Sequence, residues 1–129
     1  MLAADTNILV RLLTGDDPRQ FLVAQQLFRK GPVWIGKTVL LETAWVLRSL
    51  YGFAEAEIVT ALAGLCALEN VETEDHRAVL RALDLARKGL ALDDSLHLCS
   101  APPDAVFTSF DSKLVKRVRR AGVTRVEAV

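Results

Sequence analysis

Cysteine is scarce in this chain, with two residues, Cys66 and Cys99, among 129. Both lie in apolar sequence, so they read as buried free thiols, and a disulfide-stapled scaffold is excluded. Histidine is equally rare. His76 and His97 share no ligand spacing such as HxxxH, which argues against zinc and leaves a solvated His76 and a packed His97. No apolar run approaches the roughly 20 residues that a membrane-spanning helix needs. No basic stretch precedes the apolar start Met1-Leu2-Ala3-Ala4, so no signal peptide is expected and the chain reads as cytoplasmic. Repeats, low-complexity tracts and linkers are also lacking. A chain of 129 residues with 51% hydrophobic and 25% charged residues has the composition of one folded domain, expected to span 1–129.

An excess of one charge sign is missing too: 16 basic residues balance 16 acidic ones. The distribution is less even. Between Ser112 and Val126 stand Lys113, Lys116, Arg117, Arg119, Arg120 and Arg125, with no acid among them. A neutral total thus hides a local positive footprint.

Apolar periodicity sets out alternating strands and helices. Leu2-Ala3-Ala4 reads as a buried strand, followed by a short helix over 8–13 that stops at Gly15-Asp16-Asp17-Pro18. Pro18 suits a helix start, and Phe21, Ala24, Leu27 and Phe28 keep helical spacing to about residue 30. Val33-Trp34-Ile35 is a second strand, then a helix runs over 37–51 with Gly52 as its C-cap. Further helices begin near 53, at Thr73 (as N-cap) after a third strand at Val71, and at Asp93 or Asp94. A fourth strand is expected over 105–108, a last helix over 111–120, and an edge strand over 123–126. Strands alternating with helices predict an α/β fold: a three-layer, mostly parallel twisted sheet flanked by helices.

Ligands of open parallel sheets collect at the carboxyl ends of the strands. Asp5 follows the first strand directly, and Asp111 follows the fourth by a few residues. Two more acids lie in apolar company: Glu42 beside Leu40 and Leu41, and Asp94 in Asp94-Ser95-Leu96-His97-Leu98-Cys99. A charge in apolar sequence is costly unless it is paired or binds a cation. Several carboxylates brought together would suit a hard divalent ion such as Mg²⁺ or Mn²⁺. Simpler uses exist for each. Asp94 and Asp111 could be helix N-caps, and Glu42 could pair with Arg48 or Lys37. Asp5 has the weakest such excuse, because no hairpin follows its strand.

Four segments carry a resemblance. The opening Asp5-Thr6-Asn7-Ile8-Leu9-Val10-Arg11-Leu12-Leu13-Thr14-Gly15-Asp16-Asp17-Pro18 closely resembles the start of VapC-type PIN domains. Leu41-Glu42-Thr43-Ala44-Trp45-Val46-Leu47 is similar to their second motif, and Asp94-Ser95-Leu96-His97 to their third. Phe107-Thr108-Ser109-Phe110-Asp111-Ser112-Lys113-Leu114 resembles the fourth. The four occur in family order across nearly the whole chain. The resemblance implies a PIN-like fold and a Mg²⁺- or Mn²⁺-dependent ribonuclease, the toxin of a toxin–antitoxin pair. It implies Asp5, Glu42, Asp94 and Asp111 as metal-holding acids, with Thr6, Asn7 and Thr108 as supporting polar groups. Where the family commonly has a small residue this chain has Asp93. The third acid is therefore ambiguous by one position; Asp94 keeps the spacing to Leu96-His97, and Asp93 would support the site or face solvent. RNA, a cognate antitoxin and a second copy in a homodimer are the implied partners, with the antitoxin lying along an apolar groove near the site. Trp34, Trp45 and the Leu-rich helix over 58–68 are possible interface material, although core packing is the expected use of most of them.

The expected chemistry is phosphodiester hydrolysis by one ion or two. Lys113, Lys116, Arg117 and Arg120 recur at i, i+3, i+4 and i+7, one helix face able to contact phosphates, and Arg11 is a further RNA contact candidate. A haloacid-dehalogenase-type phosphatase would need Asp-x-Asp, but Asn7 stands two residues after Asp5. A phosphoacceptor receiver domain would need an acidic pair near the N-terminus, and Asp5 is alone. No Ser–His or Cys–His arrangement suggests a nucleophile. The non-enzyme alternative is a catalytically weak PIN domain that binds RNA or protein.

Overall fold

A computed structural model describes residues Met1–Val129. In chain order the elements are β1 (Leu2–Ala3), α1 (Thr6–Thr14), α2 (Pro18–Lys30), β2 (Val33–Ile35), α3 (Lys37–Ser49) and α4 (Glu55–Cys66). They continue with β3 (Val71–Thr73), α5 (His76–Arg87), α6 (Leu92–Ser100), β4 (Phe107–Ser109), α7 (Ser112–Arg120) and β5 (Val126–Ala128). The fold is α/β, of the PIN-like three-layer kind, and every strand pairing is parallel. The sheet is not continuous, however. One ladder has the order β1-β2-β3, and β4 pairs only with β5.

The helices follow from their sequences. Asp17 begins α2 by accepting from the Gln20 N–H at 3.0 Å, with Pro18 in the first turn where no amide is needed. Leu40, Ala44 and Leu47 on α3 meet Ile58, Leu62 and Leu65 on α4 in a core of 19 buried residues that also takes in β2 and α1. A second cluster of seven gathers Leu114, Val115 and Val118 of α7 with Leu85, Leu90, Leu98 and Val126. Thus α7 presents three apolar residues inward and leaves its basic ones outside, an amphipathic pattern. No helix is long and apolar enough to cross a membrane.

Several local expectations are corrected. Leu2 and Ala3 of β1 are exposed, so the first strand is not buried. Helix α1 starts at Thr6, because the Asp5 carboxylate accepts from the Thr6 N–H at 2.8 Å and caps it there. Thr73 is no N-cap: it ends β3, its hydroxyl lies 2.7 Å from Nδ1 of His76, and Asp75 takes the cap position in the left-handed region at φ 50°. Helix α3 ends at Ser49 with Leu50 as its C-cap, and Gly52 (φ +69°) forms the turn beyond it. The strand expected over 123–126 lies at Val126–Ala128, since residues 121–123 close α7 instead. There the amides of Ala121, Gly122 and Val123 bond the carbonyls of Arg117, Arg119 and Val118. Likewise β4 starts two residues late, after a turn in which the Ala105 N–H bonds the Pro102 carbonyl. His97, Trp34 and Trp45 are exposed rather than packed. The thiols fit better: Cys66 is buried and pushed up to about 11 by that burial, and Cys99 is half-buried and also raised by burial.

Leu9, fully buried on α1 directly after the Asp5 turn, tests the main core. Leu9→Ala is expected to lower unfolding free energy by about 2–5 kcal/mol, the usual range for a buried leucine. Urea denaturation with an unchanged slope checks it. A loss below about 1 kcal/mol would show that this helix contributes little to the core.

Candidate active site

Asp5 ends the link from β1 to α1, and Glu42 lies in the second turn of α3, which packs on α1. Together with Thr6, Asn7 and Tyr51 they line a cleft of about 300 Å³ whose apolar wall includes Val10, Val46 and Leu50. Thr6 is 7% exposed as a residue, and its hydroxyl is the one buried side-chain polar atom without a hydrogen-bond partner. A buried hydroxyl left unpartnered is costly unless a water or ligand satisfies it. Asn7 is exposed at the same edge.

Asp94 and Asp111 do not line that cleft. Asp94 falls in the first turn of α6, whose cap position is Ala91, so Asp94 is not an N-cap. It lines a cavity of about 560 Å³ with Arg117, Arg87, Glu55 and Thr60 above an apolar floor that includes Val59 and Leu90. Burial, then the charge of Asp93, pushes the Asp94 carboxyl above its ordinary value; His97 and Arg117 oppose this and Asp111 adds to it. Asp93 is exposed, and its carboxylate accepts from the Asp94 N–H at 2.9 Å. Asp111 is the N-cap of α7, accepting from the Leu114 N–H at 3.0 Å, so the capping use does apply to it. Thr108 is exposed in β4.

The structure therefore brings Asp5 to Glu42, and Asp94 into the field of Asp93 and Asp111. It does not gather three or more of these side chains closely enough to hold an ion between them. Like charges repel, and Asp5 and Asp111 each take a local amide instead. None of the four acids forms an ion pair. The two cations that could neutralise Glu42 are engaged elsewhere: Arg48 with Glu55 at 2.7 Å and Lys37 with Asp75 at 3.1 Å. The oxygen chemistry of these groups suits Mg²⁺ or Mn²⁺ better than softer metals, but they line separate clefts and do not close into one donor set.

Arg11 proves to be tied down. It bonds Gln20 at 2.7 Å, Asp16 at 3.3 Å and the Tyr51 hydroxyl at 3.1 Å, and that hydroxyl donates to Asp16 at 2.6 Å. The Tyr51 bond is the main reason that Asp16 is held below the ordinary carboxylate value. Lys113, Lys116, Arg117 and Arg120 are exposed on α7 and form no ion pair, whereas Arg119 bonds the Val126 carbonyl at 3.2 Å. Sequence reasoning did not single out Tyr51, which reaches its partners from 35 and 40 residues away. It also passed over Phe110, 90% exposed beside Asp111. A lone aromatic in a polar turn was the signal available there.

The PIN domain family matches residues 3–119. No curated protein matches the chain.

The raised Asp94 gives a test with a defined sign. A carboxyl whose folded pKa exceeds its unfolded one favours the folded chain when protonated and disfavours it when charged. Its destabilising effect therefore sets in as pH rises through the ordinary carboxylate range. Asp94→Asn is expected to be more stable than wild type at neutral pH, with the difference vanishing towards the acid end. Urea midpoints of the two proteins across that pH range check this, and a variant less stable at neutral pH would contradict it.

Proposed function

The chain belongs to the PIN-domain family, and from that premise we propose that it is a metal-dependent endoribonuclease of the VapC type. PIN domains are as a family metal-dependent nucleases. The observation that carries the proposal for this chain is the set of four unpaired acids, Asp5, Glu42, Asp94 and Asp111, beside the orphaned Thr6 hydroxyl. In this reading Asp5, Glu42, Asp94 and Asp111 would hold the ion, which requires them to draw closer together than they stand in this structure. Asp94 is preferred to Asp93 because it is the less exposed of the two and faces a cavity. When bound, Mg²⁺ or Mn²⁺ supplies an acidified water and a positive charge for the phosphodiester. Thr6 and Asn7 place polar atoms at the edge of the cleft to orient water or a phosphate oxygen. Lys113, Lys116, Arg117 and Arg120 attract the RNA backbone whatever its sequence. Arg11, in this reading, fixes the end of α1 through Asp16 and Tyr51 and contacts RNA only if that network opens.

A toxin of this kind works with a cognate antitoxin and as a homodimer. The apolar wall of the Asp5–Glu42 cleft, with Leu50 70% exposed in it, supports an antitoxin segment there, and α3 also carries Trp45, 56% exposed. The open spacing of the acids favours a second reading, in which the chain binds RNA or a protein without cutting.

Purified, antitoxin-free protein, incubated with pooled cellular RNA and Mg²⁺ or Mn²⁺, separates the two readings. Cleavage should appear, stop with EDTA, and fall at least about 100-fold in Asp5→Asn and in Asp94→Asn, the effect of losing a few kcal/mol of transition-state stabilisation. Binding without cleavage under every ion would favour the binding module. Loss in Asp93→Asn with activity kept in Asp94→Asn would move the third acid by one position.

Salt dependence tests the basic face separately. Each phosphate contact removed from a single-strand complex should flatten the log K against log salt plot by about 0.7. Neutralising Lys113 and Lys116 as glutamines should therefore flatten it by roughly 1.4. An unchanged slope in an RNA titration with EDTA present would place the phosphates elsewhere.

A further inference from the structure

Phe110 has 90% of its surface in solvent, the highest value among the large apolar side chains. A phenyl ring left in water forgoes the burial that drives folding. Its backbone is nonetheless fixed on both sides. Ser109 ends β4, its carbonyl accepting from the Val129 N–H at 3.1 Å, and its hydroxyl accepts from the Asp111 N–H at 3.0 Å. Asp111 in turn caps α7 through the Leu114 N–H. The ring thus projects from a turn whose backbone is pinned on both sides. With only two side-chain torsions to fix, it loses little entropy on contact.

The surroundings select what could cover it. Thr108, Asp111, Ser112 and Lys113 are exposed and polar, so Phe110 has no apolar company in its own turn, unlike the contiguous apolar centre of a protein interface. What lies next along the chain is the unpaired cationic face of Lys113, Lys116, Arg117 and Arg120. A flat apolar face beside several free cations fits a polyanion that carries exposed aromatic faces, which is single-stranded nucleic acid. Duplex RNA fits less well, because its base faces are already stacked inside the helix.

We propose that Phe110 is a stacking platform for an unpaired RNA base, held next to Asp111 so that the backbone of the same nucleotide run lies along α7. The inference rests on the ribonuclease reading and adds a binding residue to it: Phe110 as the contact to a base face, made only loosely dependent on sequence.

The test uses the full chain in EDTA, so that binding is read without turnover. Fluorescence anisotropy is measured with a labelled single-stranded RNA oligonucleotide and with a blunt RNA duplex of the same sequence. Phe110→Ala should weaken single-strand binding roughly 5- to 150-fold, the worth of one base–aromatic stack, and leave duplex binding unchanged. Phe110→Trp should restore it and Phe110→Leu should not. Equal single-strand affinity in Phe110→Ala overturns the inference, and so does full rescue by leucine, which would reveal plain apolar contact. A drop in sedimentation mass in Phe110→Ala would make the ring a contact between protein chains and also overturn it. Mg²⁺-dependent cleavage of pooled RNA by the wild type is followed in parallel. Cleavage with Phe110→Ala binding normally sinks the stacking role alone, and a wild type that neither cuts nor binds RNA sinks both readings.

Discussion

Carboxylate charge has to be answered somewhere, and here the answer decides how the site is built. Arg48 and Lys37 flank Glu42 in sequence but are bonded to Glu55 and Asp75, while Arg11, six residues from Asp5, is bonded to Asp16. What supports Asp5, Asp94 and Asp111 is helix ends: Asp5 caps α1, Asp111 caps α7, and Asp94 is in the first turn of α6. Each such placement stabilises an anion by about 0.3–1 kcal/mol. That is enough to fix where a carboxylate sits and far too little to cancel its charge. The acids are held in place without a paired cation.

Helix α7 carries this division furthest. Its cap is an acid and its outer face is basic, while Leu114, Val115 and Val118 anchor it to the second core cluster. Capping alone does not explain Asp111, because Asn caps a helix about as well as Asp. Arg119 points a different way from the other cations and ties α7 to β5. The basic stripe is thus what remains after the helix has met its packing and pinning needs, and it is four residues long and unpaired. Core and charge are separated on a helix of nine residues.

Much of the architecture was legible because it follows from local rules. Apolar spacing marked α2, α3 and α4, the Val33-Trp34-Ile35 run marked β2, and Asp5 and Asp111 after short strands marked candidate positions. What escaped had long-range or geometric causes. Trp45 and His97 read as packed from composition, yet the helical turn points them outward. The last strand moved because residues 121–123 were needed to satisfy the carbonyls at the end of α7, an obligation that hydrophobicity does not express. Division of the strands into two ladders depends on how two core clusters pack, which no local pattern carries. The four acids were legible as positions, but their spacing was not, since it depends on which local amide each carboxylate takes.

On the proposed ribonuclease reading, a neutral chain with such a local contrast does not attract RNA from afar. At physiological salt the screening length is about 8 Å, so α7 acts on a phosphate only once the strand is nearly in place. Charge then favours any polyanion equally, and discrimination must come from a contact that is short-ranged and weakly screened. Of the groups around Asp111, the exposed Phe110 ring on its pinned turn is the one of that kind. Acids to hold an ion, cations to hold phosphate and an aromatic face to hold a base are three separate requirements. In this chain the turn from β4 into α7 offers one of each within the span from Phe110 to Lys113.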